Sequence, residues 1–436
     1  MTSLILKLIN TNSGKILNNI IWLLLDKGVK MVLGLFIGIW IARYLGPEQF
    51  GKLNYGQAFV AIFSSLVNLG LDTTLVKEFV SKDFAENKLI GTGFLLRLYG
   101  AVVGILLAVL TALMLEFNTD QLSFLIITAL SIGLIFQAVD VIDLYLQAHL
   151  KSRISVIIKN LSYLFSSIFK VYLIIYNFPV IYFAIAIVFD LGLASILMLI
   201  YSNKKLAINL KDWMWDLVVA KTLLKTSWPL IISGLTVIMY MRMDQIMLKN
   251  YLGSFAVGNY SAAARVTELF FILPMVISNS VFPSLVKCKD DILLYRNRLI
   301  KLYSTLIYIS ILLSISILFF SNYIINILYG QQYQDAVSVL NIHIWSSIFV
   351  FIGVASSQQL VLEGRSSISL YRTVLGLATN LILNIILIPT YGIKGAAFAT
   401  LVSYAVSSFF SNFLFKSTRG IIYLYLRSLL PFKKTN

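Results

Sequence analysis

A few charged and amide side chains sit inside stretches of this chain that are otherwise apolar, and each needs a physical reason to be there. Placing one charge at the centre of a membrane helix costs about 2.5–3.5 kcal/mol on insertion scales. Asp26, Lys27 and Lys30 fall within one apolar stretch, with Asp26 and Lys30 four residues apart on one helical face. Arg265 and Glu268 are three apart in another. Lys170 ends a helical stripe with Lys159, Tyr163 and Ser166, and Asp72 ends one that holds Asn54, Gln57, Ser65 and Asn68. Gln137, Asp140, Asp143 and Gln147 form a further stripe, and Asp190 lies alone in its stretch. Ser233, Tyr240 and Asp244 share one segment, His343 and Ser346 another, and Asn380 and Asn384 a third. Cations far from a headgroup face a wet cavity or an anion, which singles out Lys27, Lys30 and Arg265. Lys170 is long enough to snorkel, and Asp244, close to a helix end, has Arg242 and Lys249 within reach as partners. The Asn, Ser and Gln positions suit hydrogen bonding between helices better than a cavity role.

Enzymatic chemistry finds little support. The two histidines, His149 and His343, fall on different helices, so spacing assembles no metal site or triad. No G-x-x-x-x-G-K-[ST] loop is present to hold a nucleotide. The single cysteine, Cys288, has no partner for an internal disulfide. No enzyme activity, metal or organic cofactor is expected, and an H+ or Na+ gradient is the available drive.

The elements that carry these residues are membrane helices. The chain is 59% apolar with a mean hydropathy of +0.86, and a hydrocarbon core of about 30 Å takes about 20 apolar residues per helix. Spans are expected near 18–42, 55–76, 94–115, 122–146, 154–175, 180–201, 227–248, 258–283, 300–320, 337–361, 368–388 and 395–415. Backbone polar groups must be satisfied internally in lipid, so these are helices, and the alternating segments of a β-barrel are absent. The net charge of +16 would fit nucleic-acid binding, but its distribution follows topology. Of 35 Lys and Arg, 26 lie in one alternating set of loops and 5 in the other. Positive-inside bias therefore places both termini in the cytoplasm and removes nucleic acid from the expected partners. Residues 2–16 read as a surface-lying amphipathic segment rather than a cleavable signal.

The chain divides into halves. Residues 203–226 hold Lys204, Lys205, Lys211, Trp213, Trp215, Lys221 and Lys225, a pattern expected of an amphipathic helix at the headgroups. The expected organisation is a six-helix bundle over 1–206, a cytoplasmic linker over 207–226 and a second six-helix bundle over 227–436. Tyr44-Leu45-Gly46-Pro47-Glu48-Gln49-Phe50-Gly51 and Tyr251-Leu252-Gly253-Ser254-Phe255-Ala256-Val257-Gly258 share the pattern Y-L-G-x4-G, 207 residues apart. Both follow the first helix of their half. With an even number of spans per half the repeat is parallel, which predicts two pseudo-symmetric bundles around a central cavity, a transporter architecture. Gly46 suits a helix end with positive φ, Pro47 the first turn of the next helix and Glu48 its positive end.

Three segments carry a family resemblance. GLFIGIWIARYLGPEQFGKLNYGQAF (34–59) resembles the first hairpin of the Wzx-type O-antigen and polysaccharide-unit flippases, members of the exporter superfamily that also holds the MATE multidrug pumps and lipid II flippases. MDQIMLKNYLGSFAVGNYSAAARVTE (243–268) and NLILNIILIPTYGIKGAAFATLVSY (380–404) resemble the matching later regions. The resemblance implies movement of an undecaprenyl-diphosphate-linked oligosaccharide from the inner to the outer leaflet of a bacterial plasma membrane by alternating access. It maps the family's cationic cavity onto Lys27, Lys30 and Arg265. Asp26, Glu268, Asp72, Asp140, Asp143 and Asp244 would be supporting or ion-coupling groups, with Lys170, Asn68, Tyr240 and His343 as further candidates. Implied partners are the polyprenyl-diphosphate oligosaccharide, membrane lipids, a polysaccharide polymerase and a chain-length regulator. Three alternatives stay open: a MATE-type cation antiporter, which would use the acids, a lipid II-type flippase, which usually has two more helices, and a non-transporting scaffold.

Overall fold

The computed structural model describes residues 12–205 and 210–429, with side chains throughout except at 12–18, 20, 21, 23–27, 29, 32 and 205. Among the described residues there is no strand. Nine helical stretches among the described residues are long and apolar enough to cross a membrane, and the pair Asp335–His343 and Ser346–Leu362, bent by 40°, makes a tenth. Two of the nine, Leu33–Ser81 and Ser366–Leu414, run for 49 residues, about twice what one bilayer needs. Each breaks at a glycine with a positive φ, Gly46 (φ 70°) and Gly392 (φ 61°). Dividing the stretches there gives the expected twelve spans. Their outer faces carry large exposed apolar side chains, among them Met114 (83% exposed) and Phe319 (80%), as contact with lipid requires.

Two compact units emerge, one of residues 1–45 and 55–238, the other of 46–54 and 239–436. The first contains most of α1 (Asn12–Asn68), α2 (Leu71–Ser81), α3 (Glu86–Glu116), α4 (Gln121–Gln137), α5 (Val141–Ala148), α6 (Ser152–Ile175), α7 (Val180–Lys205) and the first half of α8 (Leu217–Leu252). Leu71, Leu75 and Phe79 of α2 pack with Leu89 and Ile90 of α3, Val141 and Leu144 of α5, and Val219, Ala220 and Leu223 at the start of α8. The unit therefore holds the beginning of the seventh span, and the division falls inside α8 rather than in a loop.

The segment expected to be an amphipathic helix before that span is different where it is described. Residues 206–209 lie outside the described residues. After a single 3-10 turn, Leu210–Asp212, residues 213–216 are not helical and run as a strap across the start of α3. The Met214 N–H donates to the Asn87 carbonyl (3.3 Å), the Thr92 hydroxyl accepts from the Asp216 N–H (3.0 Å), and Lys88 pairs with Asp216 (2.7 Å). Trp213 meets Phe94 edge-on rather than a headgroup. Gly91 permits the crossing, since a Cβ there would lie 2.5 Å from the Met214 nitrogen. Asp216 also accepts from the Val218 and Val219 N–H groups at the helix start, and with Lys88 first these bonds hold its carboxyl below the ordinary carboxylate range.

The second unit comprises the rest of α8, α9 (Ser254–Phe270), α10 (Ile272–Lys287), α11 (Ile292–Leu328), α12 (Asp335–His343), α13 (Ser346–Leu362), α14 (Ser366–Ala405), a π-helical turn (Val406–Phe410), α15 (Ser411–Leu414) and α16 (Arg419–Ser428). Tyr303 and Leu306 of α11 pack with Phe351 and Ala355 of α13 and with Leu424 and Tyr425 of α16. Serines line the helix contacts, with Ser310, Ser314, Ser346, Ser347 and Ser403 all enclosed, because small side chains let membrane helices approach.

Candidate functional site

In the second unit, Arg265 sits three turns into α9. Residues 46–54, the start of the second span, belong to the same unit, and they supply its surroundings. Asn54 donates its amide to the Phe50 carbonyl (2.7 Å), which leaves its Oδ1 to accept from the Arg265 guanidinium (3.0 Å). The guanidinium carbon lies 5.0 Å above the Phe50 ring, a cation–π distance. Phe50 is buried and is held in turn by an edge contact with Tyr333. Among the described residues no carboxylate stands within ion-pair distance of Arg265, and Glu268, one turn along, is not bonded to it. A neutral acceptor and a ring face fix the half-buried cation without neutralising it, so its charge remains for an anion.

A second cluster surrounds Asp244 of α8, which is 4% exposed. Its Oδ2 accepts from the Tyr260 hydroxyl (2.6 Å) and the Thr400 hydroxyl (2.5 Å), and its Oδ1 accepts from the Asn384 amide (2.6 Å). Asn384 also donates to Asn380 (3.0 Å). The buried His343 meets the Tyr260 ring edge-on at 6.0 Å. This corrects the expected pairing with Arg242 or Lys249: Lys249 donates to Ser254 instead (2.9 Å), and the acid turns inward to α9 and α14. Asn384 Oδ1, Asn380 Nδ2 and His343 Nδ1 are buried without partners. One carboxylate amid hydroxyl and amide oxygens suits a hard monovalent cation or a proton better than a transition metal. Among the described residues no three His, Cys, Asp or Glu side chains come together to hold a metal.

The first unit places Lys30 on a cavity of about 170 Å³ with Gln137, Asp140, Lys159 and Asp190. Lys159 bridges Asp140 (2.9 Å) and Asp143 (2.7 Å), so both acids already have a cation. Lys170 does not snorkel: it is 8% exposed, with its ammonium 5.4 Å from the Tyr163 ring. Asp72 forms an ion pair with Arg97, which is 1% exposed. Asn68 is the last residue of α1, half-buried before the turn through Leu69 and Gly70. Tyr240 stacks edge-on with Tyr404 (5.1 Å). The side chains of Asp26 and Lys27 lie outside the described residues.

Sequence reasoning missed Tyr260 and Thr400, ordinary residues whose role depends on the fold around Asp244. Arg97 and Arg372 lie near the starts of the expected spans 94–115 and 368–388 and belong to the loop-side set of 26 cations, yet both are enclosed, at 1% and 3% exposure.

Comparison with known proteins places this architecture. The chain is 28% identical over 229 residues to the probable low-salt glycan biosynthesis flippase Agl15 of Haloferax volcanii, covering 51% of this chain and 47% of that protein. It is 33% identical over 180 residues to the probable flippase AglR of the same organism (39% and 36% covered). Against a putative O-antigen transporter of Shigella flexneri it is 29% identical over 157 residues (35% and 37%). The matched regions thus span less than half the length of these relatives. Among solved structures, an inward-facing MATE-family multidrug transporter superposes with a TM-score of 0.71 at 14% identity, covering 92% of this chain and 96% of that one. The lipid II flippase MurJ in an inward closed conformation gives 0.71 at 18% identity (94% and 91%). Both likenesses establish the fold. A MatE family model matches residues 229–386. The model described as "Polysaccharide biosynthesis protein" matches residues 16–289, more than half of the chain, so this multi-pass membrane protein belongs to that polysaccharide biosynthesis family.

Proposed function

We propose that the protein is a flippase that carries a polyprenyl-diphosphate-linked oligosaccharide, such as an O-antigen or related repeat unit, from the inner to the outer leaflet of a bacterial plasma membrane. The observation that carries this reading is Arg265, a membrane-embedded cation held by Asn54 and the Phe50 ring and left without a carboxylate. A diphosphate cannot cross hydrocarbon unaided, because its charge is expensive there. A guanidinium with spare donors offsets that charge and fits phosphate oxygens in pairs. The family match and the flippases among the relatives support the same reading.

Movement follows from alternating exposure of the cationic site to the two leaflets. The Asp244 cluster would hold a coupling Na+ or proton. Asp244, Thr400 and the orphaned Asn384 Oδ1 offer the oxygen donors such a cation needs. A MATE-type exchange of organic cations is the weaker reading, since Asp72, Asp140 and Asp143 are each matched to a basic side chain.

The test is glycan export in a strain lacking its own flippase, measured beside the abundance of inserted protein. Arg265→Ala is expected to abolish export at normal abundance. Arg265→Lys should recover part of it, because the charge survives while the planar fork is lost. Normal export by Arg265→Ala, or loss of export only in proportion to loss of protein, would remove the role given to this residue.

A further inference from the structure

The second unit contains a pocket that the Arg265 and Asp244 clusters do not use. It has a volume of about 380 Å³ and is lined by α8, α13, α14 and the π-helical turn. That size lies within the range of small-ligand sites, about 300–1,000 Å³. At its wall is Arg372, 3% exposed. Half of this guanidinium serves the fold. Its Nε donates to the Ser407 carbonyl (2.8 Å), and its Nη2 donates to the Ser408 carbonyl (3.0 Å) and the Ser356 hydroxyl (3.0 Å). Ser407 and Ser408 lie in the π-helical turn, where a widened helix turns carbonyls away from the regular ladder. The other half, Nη1, is enclosed and has no partner. No carboxylate among the described residues pairs with Arg372.

Two more orphaned atoms belong to residues on the same pocket. The Tyr240 hydroxyl is buried without a partner, and so is Gln358 Oε1, whose amide nitrogen donates to Asn279 (2.6 Å). Orphaned polar atoms are rare in folded proteins, and each calls for a ligand, a water or an ion. Here a cationic donor, a phenol and an amide acceptor belong to residues that line one space, whose other walls hold Ser357, Ser369 and Thr373. The Tyr240 and Tyr404 rings add apolar surface.

We infer that this pocket binds a sugar carrying a carboxylate, with the acid on Arg372 Nη1 and the ring hydroxyls on Tyr240 and Gln358. The inference rests on the glycan-flippase reading and deepens it, by assigning acidic sugars to the glycan. One uncompensated positive charge matches a monoanion. The hydroxyl and amide lining matches sugar hydroxyls, and the tyrosine rings match the C–H face of a pyranose.

The experiment uses the full chain in lipid nanodiscs. Binding of D-glucuronate, D-glucose and inorganic phosphate is followed by saturation-transfer NMR, beside binding of two lipid-linked oligosaccharides, one made of neutral sugars and one that includes a uronate. Glucuronate is expected to bind about ten-fold or more tightly than glucose or phosphate, the scale of one charge-assisted hydrogen bond. Gln358→Ala and Tyr240→Phe leave the Arg372 clamp on the π-helical turn untouched, and each should weaken glucuronate binding roughly five- to ten-fold. Equal binding of glucuronate and glucose, preference for phosphate, or variants that bind glucuronate as the parent does would each overturn the inference. If the neutral lipid-linked glycan binds and glucuronate does not, this pocket is wrong and the flippase reading stands. If glucuronate binds and no lipid-linked glycan does, the pocket stands and the flippase reading falls.

Discussion

Gly51 and Gly258, the closing glycines of the two Y-L-G-x4-G elements, each occupy the space a side chain would need against the other element. A Cβ on Gly51 would lie 1.8 Å from the Ser254 carbonyl oxygen, and one on Gly258 would lie 2.0 Å from the Pro47 carbonyl oxygen. Ser254 and Pro47 are equivalent positions of the repeat, so the contact is reciprocal. The opening glycines play a different part. Gly46 (φ 70°, ψ 169°) and Gly253 (φ 82°, ψ −178°) have backbone angles that other residues rarely adopt, and they set the corners from which both helices start.

Gly51→Ala and Gly258→Ala should therefore each force the two helix starts apart. Overpacking of a tight contact costs about 1–3 kcal/mol, and more where the obstacle is backbone. Gly234, inside α8, has nothing within 4 Å of a Cβ and no unusual φ. Gly234→Ala should be neutral or stabilising by about 0.5–1 kcal/mol, because alanine restricts the unfolded chain. Thermal unfolding of the three purified variants checks the order. Equal midpoints would show that the glycine contact does not hold the helices.

Asp72 and Arg97 should behave as a structural pair. Arg97 is enclosed while the Asp72 side chain is 60% exposed, so the acid serves the arginine and solvent screens part of the interaction. Removing one partner of a buried pair costs about 3–5 kcal/mol, and exposure of Asp72 brings this to roughly 1–3 kcal/mol. Asp72→Asn is expected to lower protein abundance and export together. A fall in export at unchanged abundance would instead assign Asp72 to transport.

Much of this fold is legible in the residues themselves. Hydropathy marks the spans because a bilayer demands about 20 apolar residues of each, and the repeat marks both corners because positive φ selects glycine. The chemistry at the ends of helices is harder to see. Arg97 and Arg372, near the starts of two expected spans, look like cations that reach the headgroups, yet both are enclosed by packed helices. The Lys- and Trp-rich segment before α8 looks amphipathic, yet Trp213 turns inward to Phe94. The Asp244 cluster joins residues 140 and 156 positions apart, and no local pattern carries that information.

The alternation of Lys and Arg between loops predicts a definite topology. Reporter fusions after Lys205 and Lys289 should report the cytoplasm, and a fusion at Tyr333 should report the opposite side. An inverted signal at any one of the three would contradict the sidedness drawn from the charges.

The Asp244 cluster separates ion coupling from simple helix packing. The carboxylate accepts from Tyr260, Thr400 and Asn384 across three helices, so either role would make it important, and abundance alone does not distinguish them. Asp244→Asn keeps the shape and removes the charge a cation needs. In proteoliposomes under an imposed Na+ or proton gradient, the parent protein should transport lipid-linked glycan faster than without the gradient. Asp244→Asn is expected to lose that acceleration, about ten-fold on the scale of one charge-assisted contact, while retaining binding of the glycan at Arg265. Thr400→Val removes a neutral oxygen and should weaken the response to the gradient without erasing it. A purely structural acid predicts the reverse pattern, with lower thermal stability in Asp244→Asn and the same ratio of rates with and without the gradient. An unchanged ratio in a stably inserted Asp244→Asn protein would remove this cluster from the coupling mechanism.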